Sequence, residues 1–137
     1  MFNPPEELHT RYEAALAQVK ANLGQEHSML INGVDCQASE KFEDRSPIST
    51  NMVLGRFQKG TAQDADAAVQ AAKQAFPAWS ARPWQERLVF LRKAAELIDE
   101  RLFEFAVVVS LEVGKNRMEA LGDVAETKSI KAVFGEH

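Results

Sequence analysis

Few residues of this chain combine a reactive type with a useful spacing. Cys36 is the single cysteine, and it closes the stretch MLINGVDC. A thiol becomes a nucleophile when a neighbouring base or cation favours the thiolate. In a short apolar strand a free cysteine acts as a small apolar side chain, and Cys36 is read that way. His9, His27 and His137 share no metal-ligand spacing with one another or with Cys36. A metal needs several converging donors, so no metal-binding residue is assigned. Gly55-Arg-Phe-Gln-Lys-Gly60-Thr61 has the glycine spacing of a phosphate loop, but its lysine precedes the second glycine. The lysine that reaches the β- and γ-phosphates must follow that glycine, so the stretch reads as a strand end and a turn. No G-x-G-x-x-G fingerprint is present, and no cofactor-binding residue is assigned. Trp79 and Trp84 flank the Pro77–Pro83 connection. Such rings can stack on a flat ligand, but packing between two helices is the plainer role. Glu119 and Glu126 stand two turns apart in LEVGKNRMEALGDVAE, on a helix whose other face carries Leu121, Val124 and Ala125. By position alone Glu126 is an exposed acid. No nucleophile–base pair can be assembled, so no catalytic residue is assigned.

The elements that carry these residues follow from periodicity. Residues 5–23 place Leu8, Tyr12, Ala15, Leu16, Val19 and Leu23 at helical spacing. Prolines and acids stand at its start, where a missing N–H costs little and negative charge is favoured. Met29-Leu30-Ile31, then Asn32-Gly33, then Val34 to Cys36 spell a β-hairpin. Pro47 to Asn51 is turn-like, and Met52 to Phe57 reads as a further strand. Thr61 and Asp64 form a capping pattern for a helix with the stripe Ala65, Ala68, Val69, Ala72 and Phe76. Pro77 is expected to end that helix, and Pro83 to restart it. Leu88, Leu91, Ala95, Ile98 and Leu102 then share one face, and 105–111 continues this helix or forms a separate one. Gly114 closes a helix in the left-handed conformation, and Asn116 with Glu119 opens the next. The fold class is α+β, mostly helical, with a small antiparallel hairpin or sheet.

Composition narrows the function classes. The chain has 137 residues, 45% of them apolar, and a formal net charge of -4. No basic patch accumulates, which argues against a nucleic-acid partner. No apolar run approaches the ~20 residues of a membrane span, so no membrane partner is expected. The start, MFNPPEELHT, lacks the basic and apolar regions of a secretory signal. A lone cysteine precludes an internal disulfide and suits a reducing compartment, so the expected location is cytoplasmic.

Joined together, the patterns say more than any one of them. "LINGVDC", then "SPISTNMVLGRFQKGTAQDADAAVQAAKQAFPAWSARPWQERLVFLRKAAELIDER", then "LEVGKNRMEALGDVAE" resemble, in order and spacing, the opening segment of an NAD(P)-dependent aldehyde dehydrogenase. Ser46-Pro47 stands where many relatives have Asn-Pro. "EVGKN" and the helical arm resemble the branch that oxidises L-glutamate γ-semialdehyde to glutamate in proline catabolism. The resemblance implies an α/β, Rossmann-type parent fold with NAD as cofactor. It also implies a substrate-binding role for Glu126, near the amino end of the substrate. A carboxylate there would pair with an ammonium group.

The resemblance further implies a division into a helical arm at 1–28, short antiparallel strands at 29–60 and the helical part of the cofactor domain at 61–127. The tail 128–137 departs from the family pattern, as in a truncated or frameshifted reading frame. The family's nucleophilic cysteine, general-base glutamate and cofactor sheet belong to later segments, so the chain alone is expected to be inactive and to bind no cofactor. Two further readings stay open: a small helical binding module, and one half of a split dehydrogenase. The apolar stripes Ala65–Phe76 and Leu88–Leu102 are expected to pack on each other. That would leave Phe90, Phe103 and Phe105 exposed in a loosely packed chain prone to self-association or to association with dehydrogenase subunits.

Overall fold

The computed structural model describes residues 5–128. The order of elements is α1 (Glu6–Ala21), β1 (Gln25–His27), β2 (Met29–Ile31), β3 (Val34–Cys36), β4 (Lys41–Arg45), β5 (Val53–Gln58), α2 (Ala62–Ser80), α3 (Trp84–Glu100), α4 (Leu102–Val113) and α5 (Arg117–Lys128). The described chain is mostly helical, with two small sheets.

Glu6 and Glu7 lie in the first turn of α1 and Lys20 in its last, each where the helix dipole favours its charge. The helix stops at Ala21, two residues before the apolar pattern runs out. The Asn22 side-chain amide donates to the Gln18 carbonyl at 2.9 Å, and Gly24 at φ 76° turns the chain back. The turn delivers β1, a strand the periodicity does not signal because its three residues are polar and exposed. β1 pairs parallel with β5, Gln25 opposite Gly55, and β4 pairs antiparallel on the other side. The three-stranded sheet is therefore mixed, in the order β1-β5-β4. β2 and β3 form the expected antiparallel hairpin. Asn32 at φ 54° and Gly33 at φ 76° supply the two left-handed residues of its turn.

Two expectations about the helices are corrected. Pro77 does not end α2, which runs on to Ser80. Proline removes one donor and so one bond within the helix, but only one turn remains. The Pro77 carbonyl is satisfied by the Ala81 N–H and the Ser80 hydroxyl, both at 3.1 Å. The stripes of α2 and α3 also do not bury each other. No residue of α2 is buried, and Phe76 is 65% exposed. Trp79 and Trp84 stay largely in solvent, with Trp79 tilted against Phe90 at 5.6 Å. They do not fill an inter-helix core. α3 instead turns Ala95 inward and packs against α5 and α4.

The core lies between α1, α4 and α5. Tyr12, Val19, Ala106, Val107, Leu111, Ala120, Leu121 and Val124 form it. Ala106 and Ala120 have no exposed surface, and such small residues allow two helices to approach closely. Phe103 and Phe105, expected outside, are partly buried against this core. A guanidinium covers each ring: Arg11 at 4.3 Å from Phe103 and Arg101 at 4.9 Å from Phe105. α3 and α4 are distinct helices, broken at Arg101 (φ -105°, ψ 20°). Two buried hydroxyls tie the parts together. The Tyr12 hydroxyl meets the Ser110 hydroxyl at 2.6 Å. Ser46 donates to the Leu111 carbonyl at 2.5 Å, joining the β4–β5 turn to the end of α4.

Two consequences are measurable. Val107 is fully buried in the centre of α4. Val107→Ala is expected to lower unfolding stability by about 2 kcal/mol, from lost burial and a residual cavity, read by urea titration. Asp64 closes a reciprocal capping box with Thr61. The Thr61 backbone N–H, and next its hydroxyl, hold the Asp64 carboxyl below its ordinary value of 3.8. A depressed carboxylate contributes stability above its ordinary value, and the contribution is lost as pH falls through the lowered one. Below pH 3.8 the α2 amides near Thr61 should therefore exchange faster, and Asp64→Ala should remove that pH dependence.

Candidate functional site

The Lys115–Glu126 stretch begins where α4 ends. Gly114 caps α4 at φ 75°, and its N–H donates to the Ser110 carbonyl at 3.0 Å. Two residues later the Asn116 side-chain oxygen accepts from the Met118 and Glu119 N–H groups, each at 3.0 Å. The end of one helix and the cap of the next thus arise as the glycine and asparagine imply.

α5 is held from two sides. Lys115 reaches over the junction to Asp123 at 2.5 Å. That contact raises the Lys115 ammonium above its ordinary value, and Glu119 and Glu126 pull more weakly in the same direction. On the other side the Arg117 guanidinium lies 4.2 Å over the Tyr12 ring, donates to His9 Nδ1 at 2.7 Å, and pairs with Glu13. Arginine has no acceptor, so His9 must present the lone pair of Nδ1. A groove of about 270 Å³ runs beside α5, lined by Ile98, Phe105, Val109, Asp123, Val124 and Thr127.

Glu126 stands exposed on α5, outside the lining of that groove. The junction therefore offers an accessible carboxylate on a helix, able to meet a cation from solvent. Among the described residues neither the cysteine nor a histidine is brought to Glu126. Cys36 lies in the hairpin, its sulfur 3.5 Å from the Val34 carbonyl. His27 stacks on Phe57 at 4.9 Å, and His9 is engaged by Arg117. His137 lies outside the described residues. No group of three or more His, Cys, Asp or Glu among the described residues is arranged to hold a metal.

The 55–61 stretch is a strand end and turn leading into the Thr61 cap. A Cβ on Gly55 would come within 2.9 Å of the Phe57 ring, so this glycine serves close packing. The described residues also do not fit a dinucleotide. Such a site uses a strand, a glycine-rich turn and a helix crossing to a parallel neighbour. Here the parallel pair β1 and β5 is connected through three further strands. Sequence reasoning found the Gly114 and Asn116 caps and the exposed, helical position of Glu126. It missed the Lys115–Asp123 and Arg117–Glu13 pairs, because spacings of 8 and 104 positions belong to no single helical face.

The aldehyde dehydrogenase family pattern matches residues 34–137. The 1-pyrroline-5-carboxylate dehydrogenase of Oceanobacillus iheyensis is 32% identical over 126 residues, which is 92% of this chain and 24% of that protein. The 1-pyrroline-5-carboxylate dehydrogenase 2 of Bacillus subtilis is 34% identical over 115 residues, 84% of this chain and 22% of that one. Among solved structures, a Thermus 1-pyrroline-5-carboxylate dehydrogenase with bound NAD superposes with a TM-score of 0.88 at 32% identity, covering 96% of this chain and 27% of its own. The chain thus spans about a quarter of the length of the relatives it matches. With the ordered motifs, the helix junction and the superposition in agreement, the chain belongs to the aldehyde dehydrogenase family.

Proposed function

We propose that this chain is the N-terminal portion of an NAD-dependent aldehyde dehydrogenase of proline catabolism that oxidises L-glutamate γ-semialdehyde to glutamate in the cytoplasm. The observation that carries this reading is the superposition over 96% of the chain on a 1-pyrroline-5-carboxylate dehydrogenase at a TM-score of 0.88. The single free cysteine fits a reducing compartment. No helix among the described residues is long and apolar enough to cross a membrane.

In this reading the chain's own contribution is positional. The Gly114–Asn116 junction sets the direction of α5, and α5 presents Glu126 to the substrate's ammonium group. Oxidation of the aldehyde needs a nucleophile, a base and a dinucleotide held together. The hairpin cysteine, Cys36, is not placed to be that nucleophile, and the described residues do not cradle the dinucleotide. In this reading the chain alone performs no hydride transfer. A second reading rests on α2: a 19-residue helix without one buried residue favours a module that associates with its own copies or with dehydrogenase subunits.

The test is NAD+ reduction, followed by absorbance, with L-glutamate γ-semialdehyde. The chain is assayed alone and mixed with a relative's polypeptide that lacks the matching N-terminal quarter. Activity in the mixture only is the expected result. Glu126→Gln should then raise KM for the aldehyde roughly tenfold, the weight of one charged hydrogen bond. Activity from the chain alone would overturn the proposal. Co-elution of the two polypeptides without activity would favour the association module.

A further inference from the structure

Another hollow of the molecule lies away from Glu126. Its volume is about 350 Å³, and it sits between the end of α1, the three-stranded sheet and α4. Leu23 from the turn after α1, Leu54 and Phe57 from β5, and Val108 and Leu111 from α4 make its walls apolar. This size falls at the small end of ligand cavities, which combine apolar walls with a few placed polar groups.

The charged residues on its lining are Asp44, Glu104 and Glu112, and no lysine or arginine lines it. The nearby guanidiniums are engaged elsewhere. Arg101 grips Glu104 at 2.6 and 2.9 Å, and Arg56 donates to the Gly24 carbonyl at 2.7 Å and to Glu43 at 3.2 Å. Asp44 and Glu112 form no ion pair among the described residues. The hollow thus joins an apolar interior to two carboxylates, Asp44 and Glu112, that no cation of the described residues pairs with.

We propose that this hollow is a binding site for a small aliphatic ammonium ion, its alkyl chain against Leu54 and Val108 and its charged head between Asp44 and Glu112. Apolar walls reward a methylene chain. Carboxylates favour an ammonium head and repel a carboxylate one. Molecules that carry a carboxylate of their own, amino acids included, are selected against. The site is therefore separate in place and in ligand chemistry from the one proposed at Glu126, and it does not rest on that function.

The experiment is an NMR titration of the full chain with n-hexylammonium chloride and, in parallel, with sodium hexanoate at equal ionic strength. Saturable shifts of the Leu54 and Val108 methyls and the His27 ring are expected with the amine, and none with hexanoate. Asp44→Asn and Glu112→Gln should each weaken binding by roughly fivefold, the upper range for one exposed charge pair. Val108→Phe should fill the hollow and abolish the shifts while leaving the amide spectrum folded. Absence of saturable shifts with the amine would overturn the proposal. Equal response to hexanoate, or binding indifferent to both charge substitutions, would do so as well.

Discussion

Tyr12 reaches from α1 into the face of α4, where its hydroxyl meets that of Ser110 at 2.6 Å inside an otherwise apolar cluster. A buried hydroxyl without a partner costs on the order of 1–3 kcal/mol, so this bond admits few relative positions of the two helices. The Tyr12 ring has a second duty: its outer face carries the Arg117 guanidinium of α5. One side chain thus sets α1 against both α4 and α5. Ala106 and Ala120 leave the space in which the helices close on one another. The Ser46–Leu111 contact then hangs the sheet on the end of α4. The junction at Gly114 inherits its direction from that frame, and Glu126 inherits its exposure from the junction.

Another part of the molecule is built on another principle. α2 is well specified locally, with a complete capping box and a long run of helix-forming alanines. Nonetheless none of its residues is buried. Its stability as a helix and its attachment to the rest are therefore separate matters. Most helical stability in proteins comes from a packed face, and here that face carries Val69, Phe76 and Trp79 into solvent. The 137 residues span about a quarter of each relative's length, and the apolar surface that remains is concentrated on α2 and α3.

Much of the fold was legible because its signals are short-range. The Asn32-Gly33 turn, the Thr61–Asp64 box, the Gly114 stop and the Asn116 cap each need only a few neighbouring residues, and each appears where the pattern puts it. The misreadings have separate causes. Pro77 was weighed as a helix breaker, yet a proline one turn from the end forfeits a single bond. The Ala65–Phe76 and Leu88–Leu102 stripes were matched because both are apolar, yet periodicity states that a face is apolar without naming its partner. Phe103 and Phe105 were left outside because the Leu88–Leu102 stripe was matched to α2; with the break at Arg101 and the packing of α4 on α1 and α5, both lie partly buried against the core. Glu126 was legible as an exposed acid on a helix, and its assignment to substrate came from resemblance alone.

The amino-acid sequence by itself determined the helices, the hairpin, the caps and the ordered motifs of the family, because local hydrogen bonding and side-chain spacing suffice for these. Only the tertiary structure decided which faces close. The parallel pairing of β1 with β5, the Tyr12–Ser110 bond across 98 positions and the Lys115–Asp123 bridge all join residues whose separation follows no local period. The acid-rimmed hollow has the same origin. Asp44 on a strand and Glu112 on a helix have no relation in the chain until α4 docks beside the sheet and sets both at one opening.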